Sequence, residues 1–390
     1  MTPLYLMDPE TPGAAWAPFA GATPLGELRA GGWRLHERWS RALGAKLAGH
    51  LAPHADGPRP TGAAPIVPAA TISGPAWVVD ATFAPKLPMR AVGSAKRLLV
   101  GGRAVAWRLD PGEAWTGPHN SGDGIVIEGL ALRGAFDLVT ALEQFLFTDT
   151  LAALEEAASV TLPAHVHVLG NAAAIQLRAG AEVEPAVVLD VRKGAIILEA
   201  GVVVRSGTRL EGPLWLREGT IVQGGVLRSV SAGPHCRLHG EISTTVFTGY
   251  ANKSHDGFLG HSVVGEWANL GAGTITSNLK NTYGPVRLDI GADRVETGRS
   301  NLGSLIGDHA KTAIGTLLPT GAVVGTGASV FGPPRAPKHV APFAWGGDTD
   351  ERLDVERFLD MAERILPRRD VTVDSAMRDH LAALHARLVG

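Results

Sequence analysis

Five of the chain's histidines, His235, His239, His255, His261 and His309, fall within one stretch of its second half. Imidazole titrates near neutral pH and ligates transition metals, so these residues could supply a general base or a metal site. Three of them drawn from neighbouring subunits could hold Zn²⁺, but the ligand pattern of such sites is not matched; an exposed, idle histidine is the alternative for any one of them. Two carboxylates come next. Asp8 and Asp80 each end an apolar run, Leu4-Tyr5-Leu6-Met7 and Ala76-Trp77-Val78-Val79, and an acid at the carboxyl end of a buried strand sits where open α/β sheets bind ligands. Asp80 could hold Mg²⁺ beside a nucleoside triphosphate, with capping of the next turn as its competing role. Cys236 is the single cysteine, so neither an intramolecular disulfide nor a thiolate cluster is open to the chain.

These residues need a scaffold, and composition narrows it. Hydrophobic residues make up 45% and charged ones 19%, with 49 Gly and 26 Pro, which fits a turn-rich globular protein with a large core. Lys and Arg (36) balance Asp and Glu (38), and no basic run is interleaved with aromatics, so nucleic acid is not an expected partner. No apolar run approaches the ~18 residues that would span a membrane. The first residues lack the basic start and apolar core of a signal peptide, and the expected compartment is the cytoplasm.

Residues 1–158 read as an α/β unit. Strands are expected at the two apolar runs and at Arg97 to Val100. A helix from Leu28 to Leu51 would carry Leu35, Trp39 and Leu43 on one face. Loops are expected at 52–70 and 110–124, and a long helix from Ala135 to Ala158.

Beyond residue 160 the period changes to six. Ile196, Val202, Thr208, Leu214, Thr220 and Val226 form one run; Val246, Asn252, Phe258, Val264, Leu270 and Thr276 a second; Ile306, Thr312, Leu318, Val324 and Val330 a third. Six residues make one short strand and a tight turn, and three such units complete a triangular rung whose aliphatic positions point inward. A parallel β-helix built from hexapeptide repeats is therefore expected over 159–335. Thr276 to Ile306 spans whole sextets without the pattern and is expected as a loop ejected from one rung, a common place for a binding site. Pro333-Pro334-Arg335-Ala336-Pro337 should end the coil, and 336–390 should form a tail with helices at 349–366 and 373–388, parted by Pro367-Arg368-Arg369.

The stretch from His255-Asp256-Gly257-Phe258-Leu259-Gly260 through Val264-Gly265-Glu266-Trp267-Ala268-Asn269-Leu270-Gly271-Ala272-Gly273-Thr274-Ile275-Thr276-Ser277-Asn278 resembles, without a gap, the acetyltransferase half of the bifunctional N-acetylglucosamine-1-phosphate uridylyltransferase/glucosamine-1-phosphate acetyltransferase family. Gly240-Glu241-Ile242 falls in the same register, as does Gly212-Pro213 to Leu216-Arg217 with a short insertion. Ile306-Gly307-Asp308-His309-Ala310-Lys311-Thr312-Ala313-Ile314 resembles sugar nucleotidyltransferases with a similar coil. Pro18-Phe19, Pro24 to Gly31, His36-Glu37-Arg38-Trp39 and the tail residues Ala362-Glu363-Arg364 and Arg368-Arg369 resemble a whole-chain group of sugar nucleotidyltransferases. The Gly-rich nucleotide loop of true pyrophosphorylases is absent, which makes 1–158 a degenerate nucleotidyltransferase-like domain.

The resemblance implies a left-handed coil, a homotrimer with its site between neighbouring coils, and acetyl-CoA-dependent N-acetyl transfer to an amino-sugar phosphate on the way to a nucleotide sugar such as a cell-wall precursor. Such transfer needs a base for the amine proton, donors for the oxyanion and a cationic phosphate clamp. By position the base is His255, with Glu241 setting its tautomer; the clamp is Arg217 and Lys253; Asn269 and Asn278 hydrogen-bond the sugar and order the donor side; Ala272 offers a backbone N–H to the thioester, and Thr316 lines the coenzyme A groove. For Asn269 and Asn278 a stacked asparagine ladder is the structural alternative. Phe258 stands where the family has Tyr, and Ser243 where it has a phosphate-binding Lys. Two other readings stay open: a sugar-1-phosphate nucleotidyltransferase with the coil as trimerisation module, and a non-catalytic scaffold.

Overall fold

The computed structural model describes residues 1–55, 57, 63–157 and 159–390. An N-terminal α/β region leads into a parallel β-solenoid of about ten turns and a short helical tail. The N-terminal sheet has six strands in the order Lys46–Leu51, Pro3–Met7, Ala76–Asp80, Arg103–Leu109, Arg97–Val100, Ile125–Val126. The first three run parallel and the next two pairings are antiparallel. Ala76–Asp80 is buried at every position, as a central strand covered on both faces must be.

Helix α1, Leu35–Leu43, is shorter than the periodicity suggests. Glu37 accepts the Arg34 N–H at its start, and Gly44 in the left-handed region (φ 59°) stops it. The following residues, Lys46–Leu51, pair with Pro3–Met7 as an edge strand. Helix α2, Asp137–Glu156, lies where the long helix is expected; Ala158 falls outside the described residues, as do residue 56 and residues 58–62 of the expected 52–70 loop. Gln176 of the coil donates to the last carbonyls of α2, including that of Ala157 at 2.7 Å.

The solenoid has three faces. The first stacks His167–Leu169, Val188–Asp190, Thr208–Glu211, part of Gly225–Ala232, part of Glu241–Phe247, Phe258–Gly260, Ile275–Thr276 and Leu317–Leu318. The second runs from Ile175–Leu177 to His339–Val340, and the third from Glu182–Val183 to Ser329–Val330. All these pairings are parallel, and the coil is consistent with the left-handed β-helix the resemblance implies. Its interior is one aliphatic cluster from Ile175 to Ala344. Hydrogen bonding carries it past the proline-rich stop: Val323 pairs with His339, and Ser329 bridges to Trp345.

The six-residue count slips in mid-coil. Ile196 pairs with Leu214, eighteen residues on, but Val226 pairs with Glu241, fifteen on, and Glu241 with Phe258, seventeen on. The inward positions there are Leu227, Lys253 and Leu259, so Val226, Asn252 and Phe258, interior by the count of six, sit half-exposed on the outer side. The third run, Ile306 to Val330, is buried throughout. Between Thr276 and Ile306 the chain leaves the coil, forms the antiparallel hairpin Arg287–Ile290 with Asp293–Glu296, and returns so that Val263 pairs with Leu305. Arg299 of this excursion holds Glu143 of α2 at 2.9 Å.

One corner, between the second and third faces, dictates the rest of the packing. Its left-handed position is Gly180, Gly201 and Gly219 in the early rungs, then His235 (φ 55°), Tyr250 (54°), Trp267 (60°), His309 (58°), Gly327 (70°) and Phe343 (54°). Side chains with positive φ are costly, by about 1–2 kcal/mol each, and persist only where other contacts compensate. Here they stack: His235 on Tyr250 at 5.1 Å, and Tyr250 on Trp267 at 4.5 Å. Phe343 and His309 meet Phe358 of α3, Val355–Ile365, which with α4, Ser375–Val389, closes the tail over this corner. The outer side of the second face (Ile197, Trp215, Val246, Val263, Leu305, Val323) is buried in the N-terminal core, where Trp33 meets Trp215 edge-on at 4.4 Å. No helix among the described residues is long and apolar enough to cross a membrane.

Candidate functional site

His255 lies in the corner that joins Asn252–Lys253 on the third face to Phe258–Gly260 on the first, and it is exposed. Its imidazole makes no hydrogen bond among the described residues. The corner itself is fixed from below. Lys253 faces the coil interior, is wholly buried, and donates from Nζ to the carbonyls of His255, Asp256 (3.1 Å) and His239 (3.4 Å). Burial brings its ammonium down to about 8. Gly257 completes the turn at φ 130°, where a Cβ would stand 2.2 Å from the Thr274 carbonyl oxygen.

The next two rungs stack on this corner. Gly273 N–H donates to Asp256 at 3.1 Å, and Gly315 N–H to Ala272 at 2.7 Å. His255, Ala272 and Thr316 therefore share one edge of the prism. Thr316 is buried, its hydroxyl donating to the Ala313 carbonyl at 2.8 Å.

The other expected residues lie elsewhere. Glu241 is opposite Phe258, exposed, and paired with Arg228 at 3.3 Å rather than with His255. Asn269 is in the middle of the third face, where its Oδ1 accepts from Asn252 Nδ2, so it belongs to an asparagine ladder. Asn278 is at the corner between the first and second faces and donates to His261 Nδ1 at 2.7 Å. Arg217 is under the N-terminal region: it donates to Gly32 O at 2.7 Å, pairs with Glu199 at 3.0 Å, and stacks on Trp215 at 4.2 Å. Ser243 is buried.

Two clefts flank the aromatic corner. The larger, about 530 Å³, lies between the N-terminal region, the coil and α4, and gathers Glu27, Arg34, His36, Glu266, Asp308 and His309. Arg34 pairs with Glu27 at 3.1 Å and Glu266 at 3.6 Å. Burial, reinforced by the charge of Glu266, pushes the Asp308 carboxyl up to about 7, and burial holds His309 down at about 3. The smaller, about 250 Å³, lies between the third face and the tail. Neither is visible in the motif; the one available signal is Arg368-Arg369 after a proline.

The strand-end acids are engaged within the fold, Asp80 at both oxygens and Asp8 at Oδ2, while the buried Asp8 Oδ1 meets no hydrogen-bond partner among the described residues. Asp8 accepts from Leu25 N–H and His54 Nε2, both at 2.8 Å, and burial raises its pKa. Asp80 accepts from the Thr82 N–H and hydroxyl and pairs with Arg103 at 3.1 Å. A carboxylate whose lone pairs meet three protons does not fit a Mg²⁺ ligand, and among the described residues no three His, Cys, Asp or Glu are grouped to hold a metal.

No family model matches the chain. It is 31% identical over 91 residues to the bifunctional sugar-1-phosphate nucleotidylyltransferase/acetyltransferase of Sulfurisphaera tokodaii, 23% of each chain. It is 35% identical over 86 residues to the bifunctional protein GlmU of Methanocaldococcus jannaschii, covering 22% of this chain and 21% of that one. With GlmU of a Jannaschia species it shares 30% over 181 residues, 43% of this chain and 36% of the relative. The matches thus span between about a fifth and a third of these relatives, which are transferases of the nucleotidyltransferase/acetyltransferase type.

Proposed function

We propose that the chain is an acetyl-CoA-dependent N-acetyltransferase acting on an amino-sugar phosphate in nucleotide-sugar biosynthesis, cytoplasmic and homotrimeric, with 1–158 as a degenerate nucleotidyltransferase-like domain, 159–335 as the acyltransferase coil and 336–390 as its tail. The observation that carries this reading is an uncommitted imidazole, His255, on a corner locked by Lys253 and continued by the Gly-Ala-Gly turn. The imidazole takes a proton from the acceptor amine, whose nitrogen attacks the thioester carbonyl. The oxyanion that forms faces the backbone N–H of Ala272; as it collapses the C–S bond breaks, and the departing sulfur takes the proton held by His255 to leave as the thiol. Glu241 is proposed to orient His255 once its pairing with Arg228 yields, Asn269 and Asn278 to contact the sugar and the donor side, and Thr316 to line the donor groove. Lys253 has its donors committed to the corner carbonyls, so it serves this site as a positioning residue, whereas Arg217, held by Glu199 and Gly32 under the N-terminal region, does not reach the corner and is not proposed as its phosphate clamp. Because Asp8 and Asp80 are internally engaged, no step is routed through Mg²⁺ in the N-terminal region.

The test is thiol release from acetyl-CoA by the purified chain over a panel of amino-sugar phosphates. His255→Ala is expected to lower the rate by about 10²–10⁴-fold at unchanged melting temperature, since an exposed corner base contributes little to the core. Full activity of that variant removes His255 from the chemistry. A wild type silent with every amino sugar transfers the reading to a scaffold.

A further inference from the structure

The 250 Å³ cleft between the third face and the tail has a one-sided charge. Tyr250 and Trp267 wall it, Asn252 and Asn269 line its coil side, and Lys311, Arg368 and Arg369 supply its cations. No carboxylate lines it, and among the described residues none forms an ion pair with any of the three. The acids of the neighbouring larger cleft, Glu27, Glu266 and Asp308, are engaged instead by Arg34, His36, His50 or backbone. Like charges crowd further: Arg369 feels Arg368, and Arg237 feels Arg369, each with a lowered pKa after burial. Gathering cations without a counter-charge in a half-buried cleft is unfavourable unless an anion joins them.

The donors are also left available. Asn252 Nδ2 donates to Asn269 Oδ1, so the Asn269 amide N–H groups are free to point into the cleft. Lys311 gives one proton to the His309 carbonyl at 2.9 Å and keeps two. Arg369 commits Nε to His235 O and Nη1 to Arg368 O, which leaves its second amino group. The aromatic wall is held at positive φ, a strained conformation of the kind that clusters at ligand clamps.

We propose that this cleft binds a phosphate monoester, with Lys311, Arg368 and Arg369 meeting the dianion, the Asn269 amide donating to it, and the Tyr250–Trp267 stack covering its organic part. The volume admits a phosphate and one sugar-sized ring. Through Ser254, whose hydroxyl donates to Asn252, the cleft is continuous with the chain that carries His255. As the phosphate clamp for the acceptor, it rests on the acyl-transfer reading; as a phosphate site it does not. The same monoester chemistry occurs in a sugar phosphate and in the 3′-phosphate of coenzyme A.

Calorimetric titration of the full chain with inorganic phosphate and with glucose 1-phosphate, which has no amine to react, tests the cleft directly. Wild-type protein is expected to bind the sugar phosphate with an affinity that falls with salt. The double variant Arg368→Gln/Arg369→Gln and the single variant Lys311→Gln should each weaken binding by at least about tenfold, the range for losing a charge-assisted hydrogen bond. Arg335→Gln, another exposed cation outside the cleft, should not. The two arginines are on the surface side of the tail, so the double variant decides the matter even if Lys311→Gln fails to fold. Undiminished affinity in the folded double variant, or no wild-type binding of either probe, overturns the proposal. Displacement of glucose 1-phosphate by coenzyme A but not by its 3′-dephospho form assigns the cleft to the donor, and displacement by neither assigns it to the acceptor; both uphold a phosphate site. A protein that binds glucose 1-phosphate through these residues yet never releases thiol keeps the cleft and loses acyl transfer. One that releases thiol, with KM for both substrates and affinity for glucose 1-phosphate unaltered in the double variant, keeps acyl transfer and loses the cleft.

Discussion

A fully buried lysine must find oxygen atoms, and Lys253 finds two carbonyls in the turn that carries His255 and a third, that of His239, in the rung before. Lys253→Met should leave those carbonyls unpaired, lowering stability by about 1–3 kcal/mol. It should also lower kcat more than KM, because it disturbs the base's position rather than a substrate contact. Asp308 offers a pH test of the second kind of buried charge. Its carboxyl titrates near 7 in the fold and near the ordinary carboxylate value when unfolded. Between those values the native state holds the extra proton, so this residue's contribution is full at low pH and is lost as pH rises toward 7. His309, held neutral, slopes the opposite way as pH falls below its unfolded value. The difference between wild type and Asp308→Asn cancels that part. Asparagine keeps the acceptor for the Glu266 N–H, so between pH 5 and pH 8 the variant's unfolding free energy should rise relative to wild type by on the order of 1–3 kcal/mol, measured by chemical denaturation. A difference that is flat with pH would show that Asp308 is not protonated in the fold.

At the scale of elements, stability resides in how rungs stack, and two substitutions separate the kinds of support. Gly257→Ala places a methyl against the Thr274 carbonyl in a conformation side chains rarely adopt, so it should cost about 2–4 kcal/mol and also displace His255. Val264→Ala removes interior contact only, and should cost about 1–3 kcal/mol with no specific loss of rate. Chemical denaturation beside initial rates measures both. The aromatic corner follows the same logic in reverse, since residues with positive φ are tolerated where stacking and the tail helices bury them.

For the whole molecule, the second face is covered by the N-terminal region, while the first displays an apolar column. Phe258 on one rung is followed by Ile275 and Leu317, both 43% exposed, with Ile314 beside them. An apolar strip of this kind on a flat face is what packing about a threefold axis would bury. Light scattering is therefore expected to give about three times the 40.7 kDa chain mass, and charge introduced by Ile275→Asp with Leu317→Lys should release monomers. A stable monomer with full activity contradicts the trimer. The N-terminal region should bind UTP or dTTP with Mg²⁺ weakly or not at all by calorimetry, because no Gly-rich loop cradles the phosphates.

The six-residue period suffices for the coil and the ejected loop, because each is written in neighbouring residues and local turn chemistry, whereas His255 is singled out by the family resemblance and not by the period. The N-terminal strands at Pro3–Met7, Ala76–Asp80 and Arg97–Val100 are likewise legible as short apolar runs. Periodicity overextends helix α1, because apolar spacing continues past Gly44, whereas Lys46–Leu51 pairs as a strand with Pro3–Met7, a partner distant in the chain. Which residues face inward in mid-coil is not legible. It depends on rungs of fifteen to eighteen residues, and one slipped position turns Lys253 in and Asn252 out. The fate of Arg217 is decided by Gly32 and Trp33, which reach it only when the N-terminal region docks on the coil. The cluster of Lys311 with Arg368 and Arg369 likewise exists only because the tail folds back over the aromatic corner, an arrangement set by packing between distant segments and recorded in no local pattern.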